Sequence, residues 1–125
     1  MQKYLLIALG GSLGALARFW VGSDVAGKWG TRFPYGTFVV NLTACIIIGF
    51  SLELLGRHTN FNPAWRYLLF TGFIGAYSTF STFEWETFSS LQTGNFLLAA
   101  LYVVLSVFLG LAGVWCGVSI AKVMP

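Results

Sequence analysis

The segment from Gly72 to Phe83, Gly-Phe-Ile-Gly-Ala-Tyr-Ser-Thr-Phe-Ser-Thr-Phe, constrains this chain most, because it sets turn-forming residues in the middle of a long apolar run. Gly72 and Gly75 loosen a helix, and the hydroxyls of Ser78, Thr79, Ser81 and Thr82 then compete for its backbone. Ser81 followed by Glu84 has the spacing of a capping box, so a second half-helix is predicted to start there. In hydrocarbon every backbone N–H and C=O needs a partner, so an interrupted helix persists only where protein buries it or where it lines a watery path. The interruption is therefore the first candidate for a functional site. Its freed carbonyls suit a cation, and the start of the following half-helix suits an anion.

The runs around it have the length of membrane spans, which need ~20 apolar residues each. Spans are predicted at residues 4–21, 36–55, 66–91 and 95–121, joined by polar loops at 22–35 and 56–65 and a short turn at 92–94. With 57% hydrophobic and 9% charged residues and a mean hydropathy of +0.77, a soluble fold is excluded. The expectation is an all-α membrane protein with one domain over residues 1–125, whose third helix is broken near mid-membrane. One positive charge and then an apolar run at the N-terminus resemble a signal peptide, but further apolar sequence follows Gly10-Gly11-Ser12, so an uncleaved first span is expected. Cys45 and Cys116 both fall inside apolar segments and read as small buried thiols. The net charge of +3 is scattered over segment ends, which argues against nucleic acid and for anionic headgroups as neighbours.

Orientation follows the excess of Lys and Arg in cytoplasmic loops. Lys3, Arg57, Arg66 and Lys122 lie on one face, and Lys28, Arg32 and Arg18 on the other. Four against three gives the insertion machinery little preference, so two orientations in similar amounts, pairing as an antiparallel dimer, stand beside a single orientation set by something else. No internal repeat is visible, so symmetry requires a second copy of the chain.

Within the spans, Thr37, Asn41 and Ala44 share a face, and an asparagine there serves either as interhelical glue or as a pore donor. Phe80 and Phe83 also share a face; they pack, or they turn their positive ring edges toward an anion. Tyr102, Ser106, Gly110, Gly113 and Gly117 form one stripe of the last span, in which the glycines serve close packing and the two hydroxyls are candidates for a polar track. Arg18 can snorkel and concentrate anions at a pore mouth. Glu53 reads as solvated or paired; of Glu84 and Glu86, one is expected at a vestibule and the other beside a cation such as Arg66 or Arg18. His58 has no second ligand nearby, so metal binding there is not expected. Nucleophile elbows, phosphate loops and metal-ligand clusters are missing, and catalysis is not expected.

Gly10-Gly11-Ser12-Leu13-Gly14-Ala15 through Arg18, Gly36-Thr37-Phe38-Val39-Val40-Asn41, and Gly75-Ala76-Tyr77-Ser78-Thr79-Phe80-Ser81-Thr82-Phe83 together resemble the Fluc (CrcB) family of bacterial fluoride channels over essentially the whole chain. The resemblance implies a dual-topology antiparallel homodimer in the bacterial cytoplasmic membrane, with two fluoride pathways and the broken third spans crossing at the centre. It also implies a structural sodium ion, which is not transported, on the backbone carbonyls of Gly75 and Ser78. Asn41, Phe80 and Phe83 match the family's pore residues; Tyr102, Ser106 and Thr82 match its polar track less tightly. Ala76, Ser78, Ala44 and Gly110 depart from the usual pattern, Gly110 falling where a second track hydroxyl is often found. The function expected is passive fluoride efflux. A four-span proton-coupled exporter of cationic drugs is the alternative, against which stands the lack of a glutamate in the first span, and a non-transporting membrane subunit is a third class.

Overall fold

The computed structural model describes residues 1–57 and 62–125, so His58 lies outside the described residues. Its elements are helical: α1 (Gln2–Trp29), α2 (Tyr35–Arg57), α3, a wide-turned stretch Arg66–Ile74 continued by Gly75–Tyr77, α4 (Phe80–Gln92) and α5 (Phe96–Val123). Of these, α1, α2 and α5 are long and apolar enough to cross a membrane.

The first helix runs well past the predicted end at residue 21. Polarity in 22–29 had marked a loop, yet Asp24 and Lys28, one turn apart with the acid first, pair at 2.8 Å and support helix on an exposed face. Termination falls instead at Gly30, whose φ of 83° an L side chain resists, shortly before Pro34. Arg18 therefore sits within the helix and not near its end. That leaves four cations at one end of the bundle, Lys3, Arg57, Arg66 and Lys122, against Lys28 and Arg32 at the other.

Two helix pairs are drawn together by small residues. A Cβ built on Gly117 of α5 would stand 2.7 Å from the Phe50 backbone nitrogen, so α5 meets α2 at backbone contact. On the other side, a Cβ on Gly72 would stand 2.9 Å from Gly10 Cα, so α3 lies equally close to α1. In lipid, where burying apolar surface between helices gains little, such approach supplies van der Waals contact instead. Among the buried residues of α5 are Tyr102, Gly110, Gly113 and Gly117, the stripe legible in the sequence. Arg57 fastens the far end, reaching the Ala121 and Lys122 carbonyls at 3.3 and 3.4 Å while pairing with Glu53 at 3.2 Å. Large apolar side chains such as Phe19, Trp20, Trp85, Leu97, Phe108 and Trp115 face outward, as a hydrocarbon solvent permits.

Candidate functional site

Helix α3 ends at Tyr77 and α4 begins at Phe80, leaving Ser78 and Thr79 extended between them, with ψ of 156° and 112°. Ser78 still binds back, its N–H donating to the Ile74 carbonyl at 3.1 Å, but Thr79 does not. Asn41 of α2 takes over the Thr79 peptide: its Oδ1 accepts from the Thr79 N–H at 2.8 Å, and its Nδ2 donates to the Thr79 carbonyl at 3.0 Å. One side chain thereby satisfies both groups that a continuous helix would have paired internally. Among the described residues, no backbone donor reaches the Gly75 or Ser78 carbonyl across the interruption, so two oxygens stay uncommitted there.

The cap on α4 differs from the predicted one. Thr79, not Ser81, is the N-cap; its Oγ1 accepts from the Thr82 N–H at 3.3 Å and donates to the Thr82 hydroxyl at 2.9 Å. The Ser81 to Glu84 spacing fits a capping box equally well on paper, but the extended pair ends at Thr79, so the hydroxyl at that position meets the first free N–H groups. Since the Thr82 oxygen accepts from Thr79, its own proton remains to donate.

Beside the interruption lies a cavity of about 370 Å³ whose lining includes Asn41, Ala44, Phe80, Phe83 and Ser106. Asn41 contributes a second amide N–H that the Thr79 clamp does not use. Ser106 makes no hydrogen bond among the described residues, whereas Ser119 on the same helix donates back to the Trp115 carbonyl at 2.8 Å. Phe83 is buried and Phe80 is 73% exposed, with ring centroids 5.9 Å apart. Phe83 meets the Tyr102 ring edge to face at 4.9 Å, and Phe33 from the loop after α1 meets it likewise at 5.2 Å. The cavity wall thus offers N–H, O–H and aromatic C–H groups without a formal charge.

Arg18 lines a neighbouring cavity of about 270 Å³ together with Thr37, Thr79 and Thr82. Arg18 is therefore placed beside the interruption, well inside α1 and not at its end. Gly110, where a further track hydroxyl was in question, faces α2: a Cβ there would lie 3.4 Å from Cys45 Sγ.

The two glutamates of α4 separate cleanly. Glu86 accepts from Thr37 Oγ1 and from Tyr102 OH, each at 2.7 Å, and lines a cavity of about 390 Å³ with Arg32, Ser89 and Ser90. Glu84 is exposed, and neither glutamate pairs with a cation among the described residues, where the ion pairs are Lys28–Asp24 and Arg57–Glu53. The link of Thr37 and Tyr102 through Glu86 was not read from sequence. Its signal was the placement of Thr37 four residues before Asn41, which puts both on the α2 face turned toward α4.

Several apolar helices, outward-facing aromatics and an interruption sealed by an asparagine define a small multi-pass helical membrane protein. Residues 5–118 match the family described as CrcB-like protein, Camphor Resistance (CrcB). The chain belongs to the CrcB family. It is 52% identical over 121 residues, 97% of each chain, to the fluoride-specific ion channel FluC of Acidobacterium capsulatum. It is 47% identical to the protein of the same name from Solibacter usitatus, covering 97% of this chain and 99% of that one, and 43% identical to that from Chloroflexus aurantiacus, covering 98% and 97%.

Proposed function

We propose that this protein is a fluoride-specific channel that lets the cytoplasm shed fluoride passively across the bacterial cytoplasmic membrane, working as an antiparallel pair of oppositely inserted copies. The observation that carries this reading is the 52% identity, over nearly the full chain, to a protein named for that activity. The site chemistry supports it. A small, strongly hydrated anion must replace the water it sheds, and donors are at hand in the spare Asn41 N–H, the Ser106 and Thr82 hydroxyls and the ring edges of Phe80 and Phe83. Neutral donors bind weakly enough for the ion to leave. Arg18 and Arg32, set in the flanking cavities, raise the local anion concentration without standing in the narrow part.

In this reading the interruption lies near mid-membrane, where the two copies meet. The Gly75 and Ser78 carbonyls of each copy would hold a structural sodium ion there, whose charge would offset the carbonyl dipoles that the interruption leaves exposed. Oxygens freed from helical bonding fit a hard cation, and one copy alone offers too few of them.

Purified protein in fluoride-loaded liposomes tests the proposal: fluoride efflux is expected with no added partner, ATP or proton gradient. Phe80→Ile and Phe83→Ile should each cut that efflux while the particle keeps its size. Absence of efflux from well-folded wild-type protein overturns the channel reading. Accessibility of a Thr93→Cys thiol from one side of the membrane only overturns opposite insertion.

A further inference from the structure

The groove between α2 and α3 plays no part in the function proposed above. It holds about 380 Å³, walled by Ile48, Leu52 and Leu55 on α2 and by Phe70 and Thr71 on α3, with Gly56 and Arg66 at its mouth. It exists because α2 packs on α5 while α3 packs on α1, so α2 and α3 scarcely touch. Walls that are apolar apart from the Thr71 hydroxyl give water few partners, so a hydrocarbon chain or another protein is the fitting occupant of the slot.

Charge decides between those occupants. The chain has four side-chain carboxylates. Asp24 pairs with Lys28, Glu53 with Arg57, and Glu86 is held by Thr37 and Tyr102. The remaining one, Glu84, lies beyond the interruption, and residues 58–61, His-Thr-Asn-Phe, contain none. Arg66, exposed at the end of an apolar slot, pairs with no side-chain carboxylate among the described residues. We propose that the groove takes an anionic phospholipid, one acyl chain lying along Ile48, Leu52, Leu55 and Phe70 and the phosphate on the Arg66 guanidinium.

A guanidinium fork suits a phosphate, and at Gly56 a Cβ would meet nothing within 4 Å among the described residues, which leaves room there for a headgroup. An oppositely inserted copy supplies a poorer partner. At ~1.5 Å per residue, Arg66 stands roughly 18 Å from the interruption along the helix axis and Glu84 only about 8 Å, so the two charges would not meet across a crossing at that point.

The full chain in detergent micelles is titrated with phosphatidylglycerol, with phosphatidylcholine and with glycerol 3-phosphate, and bound molecules are counted by native mass spectrometry. Phosphatidylglycerol is expected to bind about fivefold more tightly than phosphatidylcholine, one near-surface arginine's worth of preference. Glycerol 3-phosphate should not compete, and Arg66→Gln should abolish the preference. Leu52→Trp, which fills the slot and leaves Arg66 in place, should also lower phosphatidylglycerol binding, so a folding defect in one variant does not decide the matter. Equal binding of the two lipids, or a preference that survives Arg66→Gln, overturns the proposal. So does competition by glycerol 3-phosphate, which would make this a bare phosphate site, and so does protection of a Leu52→Cys thiol in delipidated dimers, which would give the groove to a second copy. Lipid occupancy is read independently of fluoride flux, so failure here leaves the channel reading standing.

Discussion

Helices α3 and α4 are consecutive pieces of one apolar run, yet they are held in place by different physics. α3 buries Gly72, Ile74 and Tyr77 and lies against the glycines of α1 at backbone distance. α4 buries Phe83 alone and is tied down by polar contacts: Asn41 to the Thr79 peptide at its start, then Thr37 and Tyr102 to Glu86. Steric fit against α1 dominates the first piece, with one side-chain hydrogen bond, Tyr77 OH with Thr43 Oγ1 of α2 at 2.8 Å, added at its end, while several directional hydrogen bonds from α2 and α5 fix the second. The segment held mainly by polar groups keeps more donors near an open cavity than the one held mainly by backbone contact. That difference explains why the candidate ion-handling groups gather at and after the interruption.

The contrast can be broken at α3 first. Gly10→Val should destabilise by roughly 3 kcal/mol, since its side chain must displace the α3 backbone; thermal unfolding in detergent measures it, and a silent substitution would mean the close approach is not needed. Asn41→Ala should cost about 2–3 kcal/mol by orphaning both groups of the Thr79 peptide, and should abolish fluoride efflux with α3 still packed. Tyr102→Phe removes one bond to a carboxylate and is expected to cost about 1.5 kcal/mol, with Glu86→Gln smaller because an amide still accepts from Thr37. Ser106→Ala sharpens the comparison most. Its hydroxyl has no partner to lose, so stability should change by no more than about 0.5 kcal/mol. Efflux should nonetheless fall about fivefold, the worth of one hydrogen bond to the passing ion. Equal effects of Ser106→Ala on folding and flux would show that hydroxyl to be packing.

Much of this was legible in the residues. The stripe from Tyr102 to Gly117 and the face shared by Thr37, Asn41 and Ala44 follow from helical periodicity, and both recur in the packing. Periodicity could not say which of two hydroxyls caps α4, because Thr79 and Ser81 each precede a usable N–H and only the position of the extended pair chooses. Nor could it reach the end of α1, where an Asp24–Lys28 pair makes a polar stretch helical. The Glu86 contacts join residues far apart in sequence through three helices; the Thr37–Asn41 spacing marks one face of α2, but it does not name Glu86 and Tyr102 as the partners.

The Asn41 clamp grips one peptide plane from both edges. Rotating that plane would break two bonds at once. The interruption thus lacks the freedom of a hinge, and its dipoles stay pointed one way. Any opening or closing of this protein must then come from side chains or from the flanking cavities, while the kinked backbone itself serves as a stationary frame.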